Sequence, residues 1–106
     1  MKKYFLSCIA FLTLSIFSSA DDLATAKAEH SKVDKELNQL YAQARKTLKK
    51  EEFLLLQKDQ REWLEQRDWL TEFQARGEAI ASSVPYWQGM AMYTAERVEF
   101  LRAWLT

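Results

Sequence analysis

The stretch from Glu52 to Ala75 has the clearest alternation of apolar and polar positions in the chain. It contains no Gly or Pro, and its apolar residues return every three or four positions, which predicts a long amphipathic helix. This spacing places eight side chains in one stripe along the helix: Phe53, Leu56, Gln60, Trp63, Leu64, Arg67, Leu70 and Phe73. Because a buried polar group without a partner costs about 1–3 kcal/mol, we expect the rest of the fold to supply partners for Gln60 and Arg67.

Two further helices are predicted from the same spacing. The first runs from about Lys32 to Lys49, with Ser31 as its N-cap and residues 21–32 before it as a mobile arm or a short helical turn. The third runs from Gly89 or Met90 to Leu105. It follows residues 78–88, which contain the only Pro of the chain and are interpreted as a loop, with or without a turn of helix inside it. Because the turn at residues 49–52 is short, we expect the first two helices to form an antiparallel hairpin. The predicted fold is therefore all-α, a small three-helix bundle.

The first twenty residues have the pattern of a secretory signal peptide. Lys2 and Lys3 precede an apolar run over residues 4–17, and small residues at positions 18–20 predict cleavage after Ala20. A membrane anchor is the alternative, but the run is shorter than the roughly 20 residues that span a bilayer. A lipoprotein site at Cys8 lies too close to Lys3 to follow a proper apolar region. We therefore predict a periplasmic or secreted protein with one helical domain, residues 21–106, and no membrane span after cleavage.

Removal of the signal peptide changes the charge balance and the cysteine content. All 15 acidic residues follow Ala20, whereas only 13 of the 15 basic residues do, so the remaining chain has a net charge of −2. A slightly acidic chain without a cluster of positive charge is not typical of nucleic-acid-binding proteins. Cys8 is the only cysteine, so the predicted domain has neither a disulfide nor thiol chemistry.

The chain after Ala20 has no pattern that indicates catalysis or metal binding. His30 is the only histidine, and its polar neighbours favour a solvated surface residue over a metal ligand. The sequence has no nucleophile–base set, no glycine-rich phosphate loop and no spaced His/Cys cluster. Glu62, Glu65 and Asp68 lie among basic residues, which favours ordinary solvated charges over the carboxylate pair of a glycosidase. We therefore predict a protein that is not an enzyme and that needs neither a cofactor nor a metal.

Six polar residues at helical spacing are candidates for an interhelical hydrogen-bond network: Asp34, Asn38, Gln60, Arg67, Asp68 and Arg97. We expect Asp34 or Asp68 to balance an arginine, because the planar guanidinium binds a carboxylate at two points. One interpretation is a structural network that fixes how the helices align. The other is that some of these side chains contact a ligand.

The aromatic residues fall into two groups. Trp63 and Trp104 lie on inward stripes and are predicted to be core residues. Trp69 lies on the opposite side of its helix from Trp63, and Tyr86 and Trp87 lie in the predicted loop. These last three are candidate partner-binding residues, because exposed aromatic side chains are favoured at protein interfaces. The alternative is that the loop aromatics fold over the open end of the bundle.

Three motifs resemble those of the lysozyme inhibitor LprI-like family: Asp34-x-x-Leu37-Asn38-x-x-Tyr41, Gln60-Arg61-x-Trp63-Leu64-x-x-Arg67-Asp68 and Arg97-x-x-x-Leu101. The resemblance covers residues 33–105. Members of that family are small exported helical proteins of bacterial envelopes, and some inhibit lysozyme. They typically carry cysteines that this chain lacks, and Thr71 and Glu72 stand about where one is expected. The covalent links of the family are therefore missing here.

The resemblance and the export signal together imply an exported protein-binding module with a protein partner. A lysozyme-type cell-wall hydrolase is the candidate target. The alternative is a structural or stress-related envelope protein with no dedicated enzyme target. The sequence leaves the identity of the partner and the oligomeric state open.

Overall fold

The structure, a computed structural model, describes residues 20–106 and consists of three long α-helices. Helix α1 spans Ala20–Thr47, α2 spans Lys50–Ala75 and α3 spans Val84–Leu105. A short 3₁₀ helix, Ile80–Ser82, lies between α2 and α3. This part of the chain contains no β-strand and no helix both long and apolar enough to cross a bilayer. The prediction of a small all-α, three-helix fold is confirmed, and the predicted signal peptide lies outside the described residues apart from Ala20.

Helix α3 is the element that joins the other two. It packs along both α1 and α2, whereas α1 and α2 make few contacts with each other. Near the start of α3, the Trp87 ring lies 5.5 Å from the His30 ring of α1. Near its end, Arg102 forms a 2.8 Å salt bridge with Glu36, which is later in α1. These two contacts show that α1 and α3 run in the same direction.

Helix α2 runs in the opposite direction to α3. Gln60 accepts a hydrogen bond from Arg97, while Gln74, later in α2, bonds to Tyr93, earlier in α3. Only two residues separate α1 from α2, so this short connection reverses the chain. Helices α1 and α2 are therefore antiparallel, although α3 supplies most of the packing that holds them together.

The apolar core lies where the three helices meet. Its buried members are Leu37, Ala44, Leu56, Val98 and Leu101. Half-buried side chains surround them, and the rings of Tyr41 and Phe53 lie 5.3 Å apart across α1 and α2. The core is small, and within residues 20–106 eight large apolar side chains are exposed: Leu54, Leu55, Trp69, Leu70, Phe73, Ile80, Phe100 and Trp104.

Helix α1 begins about twelve residues earlier than the sequence predicts. The predicted start near Lys32 and the Ser31 N-cap are wrong, because the helix continues without interruption from Ala20. Residues 20–31 contain no Gly or Pro and several alanines, and Ala has the highest helix propensity. Asp21 and Asp22 lie in the first turn, where negative charge stabilises the helix dipole. The polar segment that suggested a mobile arm is helical, and Ala26 within it is buried.

Helix α3 also begins earlier than predicted, at Val84. Ser83 caps it, because its hydroxyl oxygen accepts a hydrogen bond from the backbone N–H of Tyr86 at 3.3 Å. Pro85 lies in the first turn, where its missing N–H costs no helical hydrogen bond. The Ser and Pro residues that suggested a loop therefore form a helix start, and the loop prediction is wrong for residues 84–88.

Candidate functional site

The contact between α2 and α3 is built around Arg97, a side chain that is only 7% exposed. Its Nε donates a 2.7 Å hydrogen bond to Oε1 of Gln60, which is buried. Its Nη2 lies 2.6 Å from Oδ2 of Asp59, which is more exposed. Hydrogen bonds with a charged partner are stronger than neutral ones, so this arginine links the two helices and satisfies the amide oxygen of Gln60.

A second arginine, Arg67, makes a neighbouring set of contacts. Its Nε and Nη2 donate to Oδ1 of Asp68 at 3.1 and 3.0 Å, and its Nη1 donates to Oγ1 of Thr94 at 3.3 Å. The guanidinium carbons of Arg67 and Arg97 lie 5.2 and 5.4 Å from the ring centroid of Trp63. Cation–π contacts of this kind stabilise by about 0.5–2 kcal/mol. Trp63 is therefore a shared support for both arginines.

Two of the six predicted network residues lie outside this set of contacts. Asn38 is exposed, and Asp34 is half-buried without a hydrogen bond to any residue in the range 20–106. Both lie on α1, which packs mainly against α3 rather than α2. Conversely, Asp59 and Thr94 belong to the network, although neither was among the predicted residues. Their positions in the sequence were the only indication of this role. Asp59 directly precedes Gln60, and Thr94 lies one helical turn before Arg97.

His30 joins α1 to the start of α3 and is not the solvated residue that the sequence predicts. It is half-buried against Trp87, and its Nδ1 has no hydrogen-bond partner within the described chain. Burial lowers the pKa of His30 below its ordinary value; the nearby Asp34 opposes this effect, and Arg67 adds to it. The neutral imidazole is therefore favoured in the folded protein.

Tyr86 and Trp87 lie in the first turn of α3. The indole N–H of Trp87 donates to the backbone oxygen of Ile80 at 3.0 Å, and the Lys27 ammonium lies 5.6 Å from the ring centroid. Tyr86 meets Trp87 edge-on at 5.1 Å. Burial raises the pKa of Tyr86, and the carboxylate of Asp68 raises it further. Both rings are half-buried, and the Trp87 ring contacts α1 through His30.

Trp69 has a different environment, on the side of α2 that faces away from the other helices. Trp69 and Phe73 are each 66% exposed, and their rings stack with centroids 5.7 Å apart and an interplanar angle of 10°. An open cleft of about 670 Å³ adjoins them. We define the outer α2 surface as the residues that line this cleft together with the stacked phenylalanine: Glu62, Glu65, Gln66, Trp69, Leu70 and Phe73.

Leu70 and Phe73 were predicted to belong to the buried stripe of α2, but both are exposed. In the C-terminal half of the helix the buried positions are Thr71 and Ala75 instead. This face lies against Gly89 of α3, where an added Cβ would come within 3.1 Å of the Thr71 methyl group. Thr71 therefore points inward at this contact, and the larger side chains of Leu70 and Phe73 point outward.

The prediction that Trp104 is a core residue is also wrong. Its side chain is 41% exposed, and its ring lies 6.5 Å from that of Phe100, which is exposed as well. Leu101 and Leu105 take the inward positions in the last two turns of α3. The apolar spacing near the end of α3 is therefore compatible with either of two faces of the helix pointing inward.

The outer α2 surface combines exposed apolar and charged side chains. Within residues 20–106, no group of three His, Cys, Asp or Glu side chains is placed to hold a metal ion. The cleft combines apolar and aromatic atoms with the exposed carboxylates of Glu62 and Glu65. Such a combination suits the binding of another molecule with apolar and cationic groups.

A comparison with protein families gives a match to the family described as Lysozyme inhibitor LprI, over residues 17–101. The matched segment contains all three motifs that carry the sequence resemblance. Searches of curated proteins and of solved structures gave no match. The family is one of inhibitors rather than catalysts. Because the match covers most of its length, the chain belongs to the lysozyme inhibitor LprI family.

Proposed function

We propose that the protein is exported to the cell envelope, where it binds and inhibits a lysozyme-type cell-wall hydrolase. The observation that carries this proposal is the family match over residues 17–101. The basic start and apolar run of residues 1–20 support export, because they have the pattern of a cleaved secretory signal. The family name states the class of target, and the present chain keeps the motifs of α1, α2 and α3.

The geometry of α2 supports a role in protein binding. Its inner face is fixed to α3 through Arg97 and Arg67, while its outer face presents Trp69 to solvent. Aromatic side chains are enriched among the residues that dominate interface energies. A side chain held on a fixed helix also loses less conformational entropy on binding than one on a mobile loop. The helix can therefore present a preformed contact surface.

Thr71 stands about where the family resemblance implies a cysteine, and its side chain fills the space there. This side chain is fully buried, and its hydroxyl donates to the backbone oxygen of Arg67 at 2.8 Å. The neighbouring Glu72 is exposed. We infer that noncovalent packing between α2 and α3 holds the helices in the arrangement that binding requires, without a disulfide.

The proposal is tested by measuring lysis of a cell-wall suspension. Protein purified after expression of the full chain is added to a basic lysozyme, and the fall in turbidity is followed. We expect the rate of lysis to decrease as the inhibitor concentration increases. Absence of both binding and slowing at concentrations of about 100 times the lysozyme would contradict inhibition. The remaining candidate would then be a structural or stress-related envelope role.

A further inference from the structure

The outer α2 surface contains an apolar patch that the fold does not cover. Trp69 and Phe73 are one helical turn apart and stack on each other, and Leu70 is exposed beside them. Single exposed apolar residues are ordinary on protein surfaces, but adjacent ones that form a patch mark interaction sites. The patch lies on a long helix whose opposite face is fixed to α3. It is therefore a rigid surface without a partner in the described chain.

The charges beside this patch indicate what kind of partner fits it. Glu62 and Glu65 line the cleft next to Trp69, and neither forms a salt bridge within residues 20–106. None of the residues that line the cleft is basic. The exposed Arg61, although it precedes Glu62 directly, does not line it. Two unpaired carboxylates next to an aromatic face attract a positively charged surface.

We propose that the outer α2 surface binds a basic protein, and that an Arg or Lys side chain of that protein enters the cleft between Glu62, Glu65 and Trp69. This inference rests on the proposed function and assigns the surface through which it acts. The carboxylates accept hydrogen bonds from the incoming cation, while the indole ring contacts it through a cation–π interaction. Apolar atoms of the partner cover the stacked Phe73. The surface beside these residues is open to solvent, so a long side chain of the partner can reach them.

The other exposed aromatic pair, Phe100 and Trp104, does not have these properties. The guanidinium carbon of Arg97 lies 4.1 Å from the Phe100 ring centroid, so a cation of the same chain already occupies that ring. The nearby carboxylate of Glu99 interacts with Arg102. At the outer α2 surface, by contrast, both the ring and the carboxylates are available to a partner.

The test compares three variants of the purified protein for binding to a basic lysozyme by calorimetric titration. Trp69→Ala removes the aromatic contact, and Glu62→Gln/Glu65→Gln removes the two charges. The control, Glu29→Gln/Glu78→Gln, makes the same change in net charge at exposed positions outside the cleft. We expect affinity losses of about 30-fold for the first variant and about tenfold for the second. The control is expected to stay within about threefold of wild type.

Salt dependence provides a second readout. Salt screens exposed charge pairs. Raising the ionic strength should therefore weaken lysozyme binding by the wild type more than binding by Glu62→Gln/Glu65→Gln. Wild-type affinity in both cleft variants, with lysozyme still inhibited, would overturn the assignment of the surface and leave the proposed function intact. A dimer that dissociates on Trp69→Ala substitution, measured by sedimentation, would assign the surface to a second copy and overturn the inference.

If the wild type fails to bind lysozyme, the proposed function fails, and the surface is tested with a basic protein that is not a hydrolase. Cytochrome c is the probe, and the indole N–H resonance of Trp69 is followed by NMR after assignment with Trp69→Phe. A concentration-dependent shift that is lost in Glu62→Gln/Glu65→Gln supports the cationic contact. An unperturbed resonance overturns it.

Discussion

The two faces of α2 use similar residues in opposite ways. On the inner face, Trp63 lies near two arginines whose charges are bound by side chains of the same protein. On the outer face, Trp69 lies beside carboxylates that have no ion-pair partner within residues 20–106. The role of an aromatic ring near a charge therefore depends on the groups around it. It serves the fold where the chain supplies the opposite charge, and it is available for recognition where the chain does not.

The comparison implies that substitutions on the inner face reduce stability and that substitutions on the outer face do not. A mostly buried arginine requires its partners, because an uncompensated charge or polar group costs several kcal/mol. An exposed carboxylate is solvated by water and does not need a partner within the protein. The experiments below test this difference, from the largest expected effect on stability to the smallest.

Arg97→Ala should cause the largest loss. It leaves the buried Oε1 of Gln60 without its donor and removes the contacts with Trp63 and Phe100. We expect a loss of about 2–4 kcal/mol and a fall in Tm of roughly 10 °C or more, measured by circular dichroism at 222 nm. Arg61→Ala, an exposed arginine of α2, is the matched control and should change stability by less than about 0.5 kcal/mol. Equal Tm values for the two variants would show that the inner contacts do not stabilise the fold.

Gly89→Val tests the close approach of α2 and α3. The added side chain meets the methyl group of Thr71 and the flexible end of Gln74, which must move and lose its 3.2 Å hydrogen bond to Tyr93. We expect a loss of about 1–3 kcal/mol from overpacking, measured by urea unfolding. Ala103→Val places the same side chain at an exposed position of α3 and should cost about 0.5 kcal/mol. A Gly89→Val variant as stable as this control would argue against tight contact there.

The three helices and the antiparallel arrangement of the first two could be predicted from local features, whereas the direction of α3 was not predicted. Apolar periodicity identifies each helix, and a short connection makes neighbouring helices antiparallel. The early starts of α1 and α3 were missed for local reasons as well. The alanines of residues 20–31 outweigh its polar character, and Ser83 with Pro85 starts a helix instead of interrupting one.

The hydrogen-bond network could be predicted only at positions where the helical spacing places a polar side chain against a partner on another helix. Gln60 and Arg97 were identified as network candidates because each is a polar residue in an apolar stripe, and they are bonded to each other in the structure. Asn38 has the same kind of spacing, yet it is exposed, because α1 packs mainly on α3. Which helix covers which face is a long-range property that the periodicity of one helix does not contain. The identification of Trp69 as outward-facing needed only the helical repeat.

His30 is expected to make the free energy of unfolding depend on pH. This effect should be smaller than the losses expected for Arg97→Ala and Gly89→Val. Its pKa is lowered in the folded protein, so the unfolded chain binds a proton first as the pH falls. The stabilising contribution is therefore complete above the ordinary pKa of about 6.5 and is lost progressively below it. Urea unfolding at pH 7.5 and pH 5 should show a smaller loss of stability in His30→Phe, which keeps an aromatic ring but does not titrate. Identical losses in both proteins would contradict this assignment.

Trp69→Ala should have the smallest effect on stability. The substitution removes the stacking contact with Phe73, but the lost ring is 66% exposed and Ala has the higher helix propensity. These effects nearly cancel, so the free energy of unfolding should stay within about 0.5 kcal/mol of wild type. Trp63→Ala makes the same change on the inner face and should cost about 2 kcal/mol or more, because it removes the support of both arginines. Similar losses in the two variants would mean that the outer ring also serves the fold, and Trp69 would then be no better a candidate for binding than Trp63.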